Sequence, residues 1–328
     1  ILSGLVGSEM CIRDSIIVIG LILFALGSFI AAAADNIVWV IIGRAVQGAG
    51  AISAAVTAFI ADSTREEHRT KAMAMVGASI GLTFAASLIL SPLLYQWIGM
   101  GGIFALTGIF SVLAIFVVVY VVPAAPSLPP AQVSIREILA HGELMRLNFG
   151  VFALHLTQMA MFVVIPSALI RFAQLPLAEH WKIYLPVVIA SFVLMLPPIF
   201  IGEKRGKSKQ VFVAAIALLL LVQIGMWLAL SQTQLHAAWL VGLLLAFFVA
   251  FNILEASQPS LVSRIAPPGS KGTALGVYNT LQALGLFCGG ALGGWLTQHV
   301  GGASVFVLGS ALCLSLIHIS EPTRPERI

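Results

Sequence analysis

Three polar pairs at three-residue spacing hold most of the chemistry this chain can offer: Arg44 with Gln47, His155 with Gln158, and Asn252 with Glu255. On a helix, that separation puts both side chains of a pair on one face. All three pairs lie inside long apolar stretches. An ionisable group at the centre of a membrane helix costs about 2.5–3.5 kcal/mol on insertion scales, so each needs a partner or a purpose. Arg44 sits in "GRAVQGAGA", where it either braces backbone carbonyls or offers a cation to a water-filled cavity. Gly43, Gly48 and Gly50, with Ala45 and Ala49, leave room for a neighbouring backbone to come close. Glu255, in "FNILEASQPS", is the only acid well inside an apolar stretch. Desolvation penalises a charged carboxylate, which suits such a group to reversible protonation. Glu255 is therefore the first proton-coupling candidate, followed by Arg44 and His155; the alternative is a wetted or hydrogen-bonded structural carboxylate. His155, in "HLTQMAMF", either bridges helices as a neutral imidazole or serves a cavity or proton relay. With Gln158, Met159 and Phe162 it forms an adaptable surface of the kind apolar ligands use. Together with Arg44, Gln47, Asn252 and Glu255, these make up the candidate substrate cavity.

The elements that must position these groups follow from composition. Hydrophobic residues form 59% of the chain and charged residues 9%, with a mean hydropathy of +1.04. Soluble domains run at about 45–50% and 25%. The chain reads as an all-α polytopic membrane protein, since its apolar blocks lack the alternation of barrel strands. Ten spans are expected: about 16–34, 37–61, 73–98, 102–122, 147–172, 181–201, 211–231, 237–263, 272–298 and 304–317. Lys and Arg gather in the loops 62–72, 123–146, 202–210 and 264–271, and the loops near 35, 100, 234 and 301 have none. The positive-inside rule makes the basic loops cytoplasmic and assigns the net charge of +4 to membrane orientation, with no nucleic-acid partner. The three cysteines, Cys11, Cys288 and Cys313, have neither disulfide nor metal-ligand spacing. No nucleotide loop or nucleophile triad is present, so the expectation is a non-enzyme with no cofactor, and ATP-driven pumping is disfavoured.

The two halves of the chain repeat. At an offset of 202, "QWIG" (96–99) falls on "QHVG" (298–301), Phe104 on Phe306, Leu106 on Leu308 and Arg69 on Lys271. The offset pairs the first four spans with the last four and leaves the fifth and sixth without partners. The expected layout is thus an N-terminal half (16–122), a proline-rich cytoplasmic loop (123–146) and a C-terminal half (147–313), with the first two helices of a twelve-helix protein missing. The ends have their own reading. One DNA segment, read on opposite strands, can encode both residues 5–15 and 314–324, and that segment resembles a transposase adapter. Residues 1–15 and 314–328 are accordingly read as translated adapter.

Two parallel six-helix repeats joined by a long loop resemble the major facilitator superfamily, and "GRAVQGAGA" is similar to its fourth-helix motif R-x-x-Q-G. The runs "DSTREEHRTKAMA", "LNFG", "AEHWKIYL", "FNILEA" and "KGTALGVYNT" are similar to the YajR-type group of bacterial inner-membrane proteins. The resemblance implies helices three to twelve of that fold and proton-driven antiport of small organic compounds or drugs by alternating access. It also implies a monomer in the bacterial inner membrane, with substrate, protons and lipid as its partners. The three polar pairs then fall on helices four, seven and ten, which line the central cavity in the family. Asp62, which by itself would cap a turn or pair with Arg65 or Arg69, matches an acid of the family's cytoplasmic charge relay. One departure bears on direction. The fifth-helix antiporter signature ends in Gly-Pro and paired glycines, but this chain has Ser91-Pro92-Leu93-Leu94-Tyr95-Gln96. The alternatives are an importer or facilitator of a native metabolite, and a polytopic membrane enzyme or scaffold.

Overall fold

A computed structural model of the chain describes residues 2–50, 52, 56, 60, 64, 66–122, 135–233, 236–267 and 270–320. Side chains are described over 17–50, 89–122, 135–233, 236–267 and 270–316, and at scattered positions between 52 and 87. All regular structure among the described residues is helical. The chain divides into two compact units, Ile1–Pro130 and Ala131–Ile328. Five helical stretches are long and apolar enough to cross a membrane: Ile89–Tyr120, Gly142–Ala173, Leu177–Lys204, Ser208–Leu230 and Ala237–Ile265. Three shorter apolar helices accompany them at Ile17–Ala32, Ile37–Ala49 and Ser304–Leu316.

The first unit holds α1 (Leu2–Ala32), α2 (Ile37–Ala49) and α3 (Glu66–Tyr120). Asn36 starts α2 because its side-chain oxygen accepts from the free amides of Val38 and Trp39, at 3.1 and 3.2 Å. The expected span 37–61 is helical as far as Ala49; most of its remainder lies outside the described residues. Glycine sets how closely α1 and α2 approach. A Cβ on Gly43 would stand 2.6 Å from the Ala31 amide nitrogen, and one on Gly27 or Gly50 would strike the facing helix backbone. Gly48, expected to share in this packing, faces open space. The two spans expected at 73–98 and 102–122 are both helical and follow one another within α3, where the non-helical Gly99, with φ 64° and ψ −175°, ends one helix before the next begins. Against α1, Ser111 Oγ donates to the Leu21 carbonyl at 2.8 Å.

The second unit holds α4 (Ile135–Ala140), α5 (Gly142–Ala173), α6 (Trp181–Lys204), α7 (Ser208–Leu230), α8 (Ala237–Ile265), α9 (Lys271–His299) and α10 (Ser304–Ser320). Part of the expected 123–146 loop is therefore helical, forming α4 and the start of α5. Around α5 pack α8, α9 and α10, which makes it the most enclosed of the five long apolar stretches. Gly285, Gly289 and Gly293 of α9, one turn apart, lie against the backbone of α5 at Phe152, Leu156 and Ala160. The contact positions advance together along both chains, so the two helices run parallel. Small residues at such a seam replace side-chain bulk with direct backbone contact, the usual means of membrane-helix association.

Gly301, which the offset of 202 places on Gly99, also has positive φ, 114° against 64°. A residue with a Cβ is strained in that region, so glycine carries the chain past each helix end. Gly289→Val would drive a side chain into the Leu156 backbone, whereas Gly290→Val meets only the Met159 side chain at 3.8 Å. The expected outcome in detergent-solubilised full-length protein is a loss of about 1–3 kcal/mol in the first variant and little change in the second, read by thermal unfolding.

Candidate functional site

In the second unit three polar side chains from three helices meet in an apolar interior. His155 of α5 is 4% exposed and is the anchor. Its Nδ1 lies 3.0 Å from the Val151 carbonyl oxygen, one turn back on its own helix. A carbonyl can only accept, so Nδ1 carries the proton, and the Nε2 of the neutral ring is left as an acceptor. Gln282 of α9 fills that role with its amide nitrogen, 2.8 Å from Nε2. The same nitrogen donates to Glu255 Oε1 on α8 at 3.1 Å. One amide group thus spends both its hydrogens on the imidazole and the carboxylate.

Glu255 Oε2 is left over. It lies 3.5 Å from His155 Nε2, is buried, and has no hydrogen-bond partner. Two acceptors therefore face each other across a gap that a single proton would fill. The Glu255 side chain is 34% exposed, against 4% for His155, so the carboxylate is the wetter end of the pair. An orphaned carboxylate oxygen in a low-dielectric interior is held at a cost and gains directly from a proton. Tyr278 of α9 closes the surroundings, with its hydroxyl donating to Gln258 Oε1 at 3.4 Å. Phe251 packs edge-on against the His155 ring at 5.4 Å between centroids.

Of the sequence-derived pairs, the structure splits two. Asn252 and Glu255 share a broad face, but a three-residue step leaves them about 60° apart around the helix, and they serve different neighbours. Asn252 Nδ2 donates to Ser191 Oγ of α6 at 2.9 Å, and Ser191 in turn donates to the Val188 carbonyl at 2.7 Å. No hydrogen bond joins Gln158 to His155; Gln158 is half-buried and Met159 is exposed at 39%. Phe162 does enter a ring cluster, 5.9 Å from Tyr184 and 6.1 Å from Phe248. Gln282, Ser191 and Tyr184 were not singled out in the sequence. Gln282 is a lone amide in the middle of "VYNTLQALGLF", and its partners lie 27 and 127 residues away, beyond the reach of spacing rules.

The first unit holds the remaining pair intact. Arg44 Nη1 donates to Gln47 Oε1, Gln47 Nε2 donates to Ser28 Oγ at 2.8 Å, and Ser28 donates to the Phe24 carbonyl at 2.8 Å. Gln47 and Ser28 are buried while Arg44 is exposed, so the relay pins the guanidinium from behind and leaves its outer face open. Among the described residues Arg44 has no ion-pair partner. Asp62 lies outside the described residues, and no cluster of metal-ligating side chains occurs among the described ones. Gln47→Leu should release Arg44 and remove the donor to Ser28 Oγ, which keeps its own bond to the Phe24 carbonyl. Thermal unfolding of the full-length protein is expected to report a loss of about 1–3 kcal/mol.

A family profile described as Major Facilitator Superfamily matches residues 2–289. The chain is 43% identical over 306 residues to the inner membrane transport protein YajR of Escherichia coli, covering 92% of this chain and 66% of that protein's length. It is 26% identical over 311 residues to the multidrug resistance protein MdtH of Proteus mirabilis, covering 90% of this chain and 71% of that protein. Among solved structures, the human organic anion transporter MFSD10 superposes with a TM-score of 0.63 at 21% identity, over 96% of this chain and 79% of that one.

Proposed function

The chain belongs to the major facilitator superfamily, and on that premise we propose that the full-length protein is a proton-coupled exporter of small organic compounds working by alternating access. It is a membrane protein whose curated relatives are named transporters. The proposed location is the bacterial inner membrane, where the proton motive force is available. The observation that supports proton coupling is the facing pair His155 Nε2 and Glu255 Oε2, 3.5 Å apart, with Glu255 Oε2 lacking any hydrogen-bond donor. Uptake of one proton turns an orphaned anion into a neutral hydrogen-bonded pair. That gives the loaded and unloaded states different interior energies, as a carrier needs if one ion is to bias its two conformations. Export of drug-like compounds is supported by the naming of MdtH and by the apolar, ring-rich ground around Phe162 and Phe248. In this reading Arg44, pinned through Gln47, holds a polar group of the substrate, and Asp62 contributes to a cytoplasmic charge relay.

One feature favours a second reading, import or facilitated passage of a native metabolite. Ser91-Pro92-Leu93-Leu94 stands where the antiporter signature carries Gly-Pro and paired glycines. Counterflow direction in vesicles separates the two.

The test is full-length protein in proteoliposomes under an imposed proton gradient, with a panel of fluorescent organic cations and anions as probes. Wild type should move a probe against its gradient in exchange for protons. Glu255→Gln should lose that uphill movement at least tenfold and retain downhill exchange. Unchanged uphill transport in Glu255→Gln would remove Glu255 from the coupling role.

A further inference from the structure

The amide of Gln282 occupies the acceptor that an incoming proton needs. In the arrangement found, Gln282 Nε2 donates to His155 Nε2 at 2.8 Å and to Glu255 Oε1 at 3.1 Å. A proton on Nε2 would place an N–H against an N–H at a distance that only a donor and an acceptor tolerate. The two events exclude each other. We propose that Gln282 is a positioning residue of the proton site, one that ties His155 to Glu255 while the site is empty and is expelled from His155 Nε2 when a proton takes that nitrogen. The proposal rests on the proton-coupled reading given above.

The step balances simply. A proton delivered by water adds to His155 Nε2, and a new N–H bond forms. The Gln282 N–H···Nε2 hydrogen bond breaks, and the new N–H turns to Glu255 Oε2, 3.5 Å away and without a partner until then. Release reverses each part. Because Gln282 stands on α9, three residues before the Gly285 seam with the α5 backbone, its displacement falls on the interface between the helices carrying His155 and Gln282. Proton occupancy is thereby converted into a change of contact between two helices.

Few other charged or titratable groups face this pair. From α9, Tyr278 is buried, and its hydroxyl donates to Gln258. Tyr184 of α6 is buried among rings, 5.9 Å from Phe162 and 6.2 Å from His180. Cys313 of α10 is buried as a free thiol. Among the described residues the charged side chains of these elements stand toward helix ends. Arg146 on α5 and Arg264 on α8 are each nine residues from the pair, about 13 Å along the axis. The amide is therefore the group in direct contact with both members.

Two measurements on the full-length protein decide the matter. The first is the nitrogen NMR spectrum of labelled histidine, with the His155 signals assigned by their loss in His155→Gln. At high pH the expected spectrum is a neutral ring protonated on Nδ1, with Nε2 unprotonated and hydrogen-bonded. An Nε2-protonated neutral ring would overturn the proposal. The second is the pH profile of transport in Gln282→Leu, which keeps the bulk and removes both donors. Losing donors that favour the unprotonated site should move the profile to higher pH by roughly one unit, a tenfold easier proton uptake, with probe affinity unchanged. An unshifted profile in a variant that transports normally would also overturn it. If Gln282→Leu does not fold, the wild-type spectrum decides alone. If wild type moves probe without protons, the functional reading fails, while the same spectrum still settles whether Gln282 holds the acceptor nitrogen.

Discussion

A polar atom in the hydrocarbon layer cannot turn to water, and the structure of this chain depends on that constraint. Most of the polar side chains named above are paired with another side chain, folded back on their own backbone, or left short of a partner. Ser28, Gln47 and Arg44 form one relay in the first unit. Ser191 and Asn252 form another in the second. At His155, Gln282 and Glu255 the pairing runs one hydrogen short. In water such a deficit would pass unnoticed, but in an apolar interior it is held at a cost. The chemistry proposed for the protein comes from that shortage.

The shortage is specific only because the helices hold their distances. Glycine does this in both units: Gly27, Gly43 and Gly50 between α1 and α2, and Gly285, Gly289 and Gly293 between α9 and α5. With no hydrophobic effect to drive helices together inside a membrane, close backbone contact supplies the attraction and fixes the spacing. A seam wider by one methyl group would alter the reach from Gln282 to His155, and the bridge would become a pair of unrelated bonds. In the proposed function, packing and proton chemistry are coupled through the same few residues.

Much of this was legible in the residues. The helical class, the element order and most boundaries follow from apolar length and from glycine, proline and charge at the ends. The offset of 202 even placed Gly99 on Gly301, and both have positive φ. The reading erred where geometry depends on a partner. Gly48 looked like a packing residue and faces open space, because only the face bearing Gly43 and Gly50 meets α1. Asn252 does share a broad face with Glu255, and its hydrogen bond to Ser191 was beyond the reach of spacing. The separate spans expected at 73–98 and 102–122 are two helices that meet at Gly99, as the apolar lengths and the glycine between them imply.

The sequence by itself determined that this chain is a helical membrane protein, and that Arg44, His155 and Glu255 needed an explanation. Those conclusions rest on local quantities: hydropathy, spacing and the cost of burying charge. Tertiary structure alone decided that His155 and Glu255 face each other, that Gln282 stands between them, and that one carboxylate oxygen has no donor. The physical reason is that a hydrogen bond is set by distances of a few tenths of an ångström between atoms on different helices. No periodicity along one helix encodes where another helix will place its side chains.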